Sequence, residues 1–170
     1  MRGVPLSRKA GLQLIDREYV EIVGQVVLGT GLIPSDATIP QISEGNEVFN
    51  FNYTPKFPGS KIILTSNIHF RPTLLDSSNC ALFIDGAADA VMSANMSPGQ
   101  AALTVYFHLR YEDIVVPDPV ALINFQIRAA ATTANTSWIN TNNVGTNHGG
   151  TLRSWVLVEE FAQPSQFGGV

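Results

Sequence analysis

Residues 61–70 read KIILTSNIHF, and the alternation within this stretch decides the fold class. Ile62, Leu64, Ile68 and Phe70 fall on one side of an extended chain, and Ile63, Thr65, Asn67 and His69 on the other. That is the period of a strand with one face in a core. The same period recurs on both sides of it. In EVFNFNYTP, Phe49, Phe51 and Tyr53 alternate with Asn50 and Asn52, and Pro55 ends the run. In LTVYFHLR, Leu103, Val105, Phe107 and Leu109 oppose Thr104, Tyr106, His108 and Arg110. In INFQIR, Ile123, Phe125 and Ile127 alternate with Asn124, Gln126 and Arg128. The run SWVLVEEF is apolar on both faces and predicts a strand covered on both sides. Shorter strands are expected at 81–84 and 90–93 around an Asp85-Gly86 turn, and another within the apolar run 19–28. The breaks PKFPGS, SPGQ, PDP and NTNNVGTNHGG are turn-rich, and no helix of ten or more residues is indicated. Eight or nine strands at short spacing predict an all-β fold: an antiparallel β-sandwich, jelly-roll-like, with an extended N-terminal arm. The expected organisation is 1–45, an arm with one strand and a Pro-rich crossover; 46–162, the sandwich; and 163–170, a short C-terminal tail. Phe49, Phe51, Ile62, Leu64, Leu103, Val105, Phe107, Phe125 and Ile127 are the expected core.

Composition narrows the functional classes. The 170 residues suit one domain with a sizeable core. Only 14% are charged against 45% hydrophobic, well below the roughly 25% charge of an average globular protein, so part of the surface is expected to be buried against other chains. The formal net charge is −4, which gives no field for gathering nucleic acid. Four of the ten basic residues, Arg2, Arg8, Lys9 and Arg17, lie in the first seventeen positions; they are either a solvated tail or an anchor for an acidic protein surface. No secretory h-region follows them, and no apolar run approaches 18 residues, so no membrane insertion is expected. The single cysteine, Cys80, forbids an intrachain disulfide and reads as a small buried hydrophobe.

Catalytic chemistry is not indicated, and neither a cofactor nor a metal is expected. His69, His108 and His148 show no ligand spacing. Glu159 and Glu160 are adjacent on a strand, so they point to opposite faces, and solvated strand ends account for them. No G-x-S-x-G elbow, phosphate loop or dinucleotide fingerprint is present. The Asn-rich run 140–150 is either a surface connection or a glycan-binding loop, with Trp138, Asn142, Asn147 and His148 as contacts in the second case. Ile63, Tyr106, Trp155 and Leu157 sit on strand faces that should be wet, which predicts an apolar patch suited to cyclic self-association or to cover by the N-terminal segment.

The segment 38–45, TIPQISEG, lies between the N-terminal strand and the first regular one. Pro34 and Pro40 exclude helix and ladder donation, and Gly45 permits a positive φ, so the segment reads as a rigid extended crossover. Pro34, Ile39 and Pro40 join the four residues above as candidates for a subunit interface. Together with TPK at 54–56, SKIIL at 60–64, ALFIDG at 81–86 and GGTLRSWVLVE at 149–159, the crossover resembles, in order, phage virion proteins of the tail-fibre, head-fibre and head-decoration kind. The resemblance spans about residues 25–161. It implies a jelly-roll-like sandwich assembled as a homotrimer on the virion exterior, made in the bacterial host cytoplasm. This chain has no heptads and no shaft repeats, which favours a capsid decoration (cement) protein or short head fibre contacting the major capsid protein. Arg2, Arg8, Lys9 and Arg17 are then the anchoring candidates. The alternative is a tail-fibre tip or adaptor that contacts tail proteins and binds a host-surface glycan.

Overall fold

A computed structural model describes residues 11–74, 76–97, 104–142, 145–146 and 151–162, with side chains omitted at Asn142, Gly145 and Thr146. These residues form strands, turns and bends, with no helix among them. In chain order the strands are β1 (Gln13–Val23), β2 (Val26–Leu28), β3 (Asn46–Tyr53), β4 (Lys61–Pro72), β5 (Ser78–Ile84), β6 (Met92–Met96), β7 (Val105–Val115), β8 (Ile123–Ala131), β9 (Ser137–Ile139), β10 (Thr141–Asn142), β11 (Gly145–Thr146) and β12 (Arg153–Ala162).

Two main sheets result, beside the two-stranded β10–β11 hairpin, and β4 organises the first. One edge of β4 pairs with β7, while β12 and then β9 follow one another along its other edge. β1 pairs with β12 and β2 with β9, so the sheet has four rows. The second sheet runs β3-β8-β5-β6, also antiparallel. After the β1–β2 row the chain alternates between the sheets in the pattern of a jelly roll, with two exceptions: β5 and β6 form a hairpin, and β9 and β12 share one row with the separate β10–β11 hairpin between them. Residues 13–45, expected as an arm ahead of the sandwich, therefore supply one row of its first sheet and the crossover to its second. Within that row Gly24, at φ 78°, separates β1 from β2 where one strand was expected.

The period-two reading places the core correctly. Ile62, Leu64, Ile68 and Phe70 of β4 join Val105, Phe107 and Leu109 of β7 and Val156 and Val158 of β12. Opposite them lie Phe49 and Tyr53 of β3, Cys80 and Leu82 of β5, and Ile123, Phe125 and Ile127 of β8. Phe51 is only half-buried and packs against this cluster, 5.6 Å from the Phe125 ring. Leu103 lies outside the described residues. β12 differs from expectation: Ser154, Val156, Val158 and Glu160 are buried, whereas Trp155, Leu157, Glu159 and Phe161 on the other face are half-buried. The Asp85-Gly86 turn is present, both residues at positive φ, with Ala87 N–H bonded to the Ile84 carbonyl.

Phe107 packs on Phe70 with ring centroids 6.0 Å apart and is 1% exposed. Phe107→Ala should cost about 3–5 kcal/mol in urea unfolding, whereas a cost below about 1 kcal/mol would contradict this packing.

Candidate functional site

Three places carry the polar and apolar groups that matter: a buried carboxylate, a strap over the second sheet and the outer face of the first. The carboxylate is Glu160, fully buried on the inner side of β12. It accepts the Lys56 N–H at 2.8 Å, the Phe57 N–H at 3.1 Å and the Tyr53 hydroxyl at 2.9 Å, and the Ser60 hydroxyl donates to it as well. These donors come from the β3–β4 corner, TPKFPGS, and from Tyr53 at the end of β3. The expectation of a solvated strand end holds for neither acidic neighbour: Glu159 is half-buried and Glu160 has no solvent contact. Asp16, at the β1 bulge, lies 3.2 Å from the Tyr53 hydroxyl and 3.3 Å from the Lys56 ammonium. Burial, then Glu160 and Asp16, pushes the Tyr53 phenol far above its usual range. Glu160 itself is sealed inside, out of reach of solvent.

Glu160→Ala would remove the acceptor of the Lys56 and Phe57 N–H groups and leave the Tyr53 and Ser60 hydroxyls only their second partners, Asp16 and the Phe57 carbonyl, and should cost about 3 kcal/mol or more. Glu159→Ala, on the other face, should stay within about 0.5 kcal/mol. Equal losses in denaturant melts would remove Glu160 from this role.

The phenol also sets an alkaline limit. The folded state keeps the Tyr53 proton that an unfolded chain releases near its ordinary value of 10.0. Its stabilisation is therefore complete below pH 10 and declines as pH rises beyond it. The buried Cys80 thiol, also raised by burial, adds the same sign above its ordinary 9.0. Tyr53→Phe should flatten the loss of stability above pH 10, and an unchanged slope would count against the buried phenol.

The strap is the segment 31–45, which contains TIPQISEG. It lies outside the second sheet, and its own chain holds it. The Ile33 N–H bonds to the Ala131 carbonyl, and Asn79 Nδ2 donates to the Ile33 carbonyl at 2.7 Å. Further on, the Ala90 N–H donates to the Pro40 carbonyl, and the Ile42 N–H to the Ala88 carbonyl. Arg128 donates to the carbonyls of Glu44 and Gly45. Ile33 is buried, so the segment carries a core residue of its own. Gly45 sits at φ 67°, where an added Cβ would lie 2.8 Å from Ile33. Of the interface candidates here, Pro34 and Pro40 are half-buried and Ile39 is exposed.

The outer face of the first sheet gathers the other four interface candidates. Register places Tyr19 beside Leu157 and Thr65, Glu21 beside Trp155 and Asn67, and Arg17 beside Glu159 and Ile63. Tyr19 leans on Trp155 at 6.0 Å. Ile63, Trp155 and Leu157 are half-buried, while Tyr19 is 54% and Val23 56% exposed. Tyr106 is 51% exposed and meets His69 edge-on at 4.7 Å. Burial lowers the pKa of His69. Arg17 is exposed on this face as part of β1; Arg2, Arg8 and Lys9 lie outside the described residues.

Trp138, on β9, pairs with Val27 and Arg71 and is half-buried just before the β10–β11 hairpin. The side chain of Asn142, and Asn147 and His148 altogether, fall outside the described residues. Sequence reasoning missed Asn140, which is fully buried at φ 60°. Its Nδ2 donates to the carbonyls of Ile22 and Gly24, and its Oδ1 accepts from the Ser154 hydroxyl. It thereby pins the point where β9 leaves the row and β12 resumes it. Among the described residues, no group of three or more His, Cys, Asp or Glu side chains could hold a metal ion.

No protein-family model matches this chain, and no curated protein matches it in sequence. Solved structures with a similar fold include latent PorU from Porphyromonas gingivalis, at TM-score 0.44 and 10% identity, with 96% of this chain covered but only 14% of that one. The sugar-binding EclA C-terminal domain matches at TM-score 0.36 and 14% identity over 82% of this chain and 85% of that one. The infectious bursal disease virus VP2 subviral particle matches at TM-score 0.32 and 12% identity, over 94% and 42%. These likenesses concern the sandwich architecture alone.

Proposed function

We propose that this chain is a non-enzymatic structural protein of a bacteriophage particle, a homotrimer on the particle exterior serving as a capsid decoration (cement) protein or short head fibre. The observation that carries the reading is the Tyr19, Val23, Trp155, Leu157 and Ile63 surface of the first sheet, which the described part of the chain leaves open. Apolar groups on a sheet face of a charge-poor chain are what cyclic association buries. The ordered motifs that resemble phage virion proteins support the same reading, and two of them form structural junctions here: TIPQISEG is the strap, and TPK lies in the corner held by Glu160. The basic residues of the first seventeen positions, Arg2, Arg8, Lys9 and Arg17, form the capsid-facing anchor in this reading, with Arg17 exposed at the rim of the face.

Sedimentation equilibrium of the full chain should give a trimer, and Leu157→Lys should shift it to monomer without loss of fold. A monomeric parent would overturn the oligomer. Reversal of the four basic residues to Glu should lower occupancy on purified capsids; unchanged occupancy would remove the anchor. Immunogold label over the tail tip rather than the head would instead favour the fibre-tip reading, for which Trp138 beside the β10–β11 hairpin is the contact to test.

A further inference from the structure

The strap does not lie flat on the second sheet. It is fixed at one end by Asn79 and at the other by the β5–β6 connection, where Gln41 Nε2 also reaches Asp89 at 2.7 Å. Between these anchors, Asp36 closes a short turn by accepting the N–H and hydroxyl of Thr38. The chain arches there and leaves a cleft of about 380 Å³ against β5 and the edge strand β6. Asn79 and Asn95, one from each strand, form its back wall, Nδ2 of Asn95 donating to Oδ1 of Asn79 at 2.6 Å. Both amides donate to the Ser35 hydroxyl, at 3.1 and 3.0 Å. Asp36, Thr38, Ser77 and Ser93 complete the polar lining, and Pro34, Pro40 and Ala94 contribute carbon surface.

The lining selects a ligand class by what it offers. Among the described residues, no Lys, Arg or His lines the cleft, so none of them neutralises a phosphate or sulfate there. Asp36 is its single carboxylate, too few oxygen charges for a calcium ion. The apolar part is three small residues, without the broad wall a lipid chain needs. What remains is a set of hydroxyls and acceptor oxygens edged by two proline rings: the amide N–H groups of Asn79 and Asn95 are spent within the protein, so Asn95 Oδ1 and Asp36 accept while the serine hydroxyls donate. Thr38 uses only one oxygen of Asp36, and no described donor reaches the other. The volume stands at the lower end of ligand sites, roughly 300–1,000 Å³.

We propose that this cleft binds a neutral, hydroxyl-rich ligand, a single pyranose of a glycan, with Asp36, Ser93 and Asn95 hydrogen-bonding its hydroxyls and Pro34 and Pro40 against its C–H face. The site is separate from Trp138 and the β10–β11 hairpin, and it does not depend on the oligomeric state.

The test uses the full chain and saturation-transfer NMR, with the methyl pyranosides of glucose, galactose, mannose and N-acetylglucosamine, and with dextran and mannan as polymers. At least one probe should respond at about 10 mM sugar, in the weak range expected of one ring. Ser93→Trp fills the cleft and should weaken the response at least about tenfold. Asp36→Ala, at an exposed turn, serves as the second variant and should weaken it in the same direction. Asn50→Ala, elsewhere on the same sheet, should leave it intact. A response to methyl pyranosides marks a terminal residue and a response to polymers alone an internal one; both require loss in the cleft variants. Silence from every probe, or responses that survive both cleft variants, would overturn the proposal.

Discussion

The buried carboxylate of Glu160 is the interaction on which the sandwich depends. Removing a charged group from water costs several kcal/mol unless hydrogen bonds replace its hydration. Here the donors are the N–H groups of Lys56 and Phe57 and the hydroxyls of Ser60 and Tyr53. All four belong to the β3–β4 connection or the strand entering it. That connection takes the chain from the second sheet to the first, so its backbone turns where no ladder can satisfy it. One side chain from the last strand therefore closes a corner formed early in the chain. The pairing is mutual: without the corner the carboxylate would be buried unpaired, and without the carboxylate the corner would have orphaned donors.

The same device recurs at three other junctions of the chain. Asn140 reads the carbonyls of Ile22 and Gly24 at the break between β9 and β12. Asn79 holds the strap where it leaves β2's sheet for that of β3. Asp76, between β4 and β5, accepts the N–H of Thr133 at 2.7 Å and its hydroxyl at 2.6 Å. Burial pushes the Asp76 carboxyl up, but the Thr132 and Thr133 bonds outweigh this and leave it below its ordinary value. Apolar alternation thus selects the strands and faces, while buried or half-buried polar side chains fix the corners between them.

This division explains what could be read in advance. Alternation in KIILTSNIHF, LTVYFHLR and INFQIR assigns the faces, because the large apolar residues of the core share one parity in each run; Ser66 is the polar residue that falls among them, and it is small enough to be buried there. Corners are set by single polar residues whose partners are backbone groups distant in sequence, and no local pattern announces them. Glu160 did carry a signal: it shares the parity of Val156 and Val158, so on a regular strand it had to point inward. Its neighbour Glu159 made the pair resemble a solvated end. The prolines of the strap disclosed an extended crossover, but its docking on Ala88, Ala90 and Asn79 depends on backbone geometry that residue type does not encode. Asn140 stood in an Asn-rich run, where its left-handed conformation had no distinguishing neighbour.

The two outer faces are finished differently, and that asymmetry bears on function. Over the second sheet the chain lays its own strap, and beside it Asn124 donates to the side-chain carbonyls of Asn50 and Asn52 while Gln126 donates to Glu47. That face is satisfied internally and polar at its surface, as suits a side turned to solvent. The first sheet has only side chains over it, with Tyr19 on Trp155 and Tyr106 on His69 still half open. Copies that meet through the first sheet would leave every strap, and the cleft beneath it, facing outward. Assembly and ligand contact would then fall on opposite sides of one sandwich, so that neither imposes its residue choices on the other.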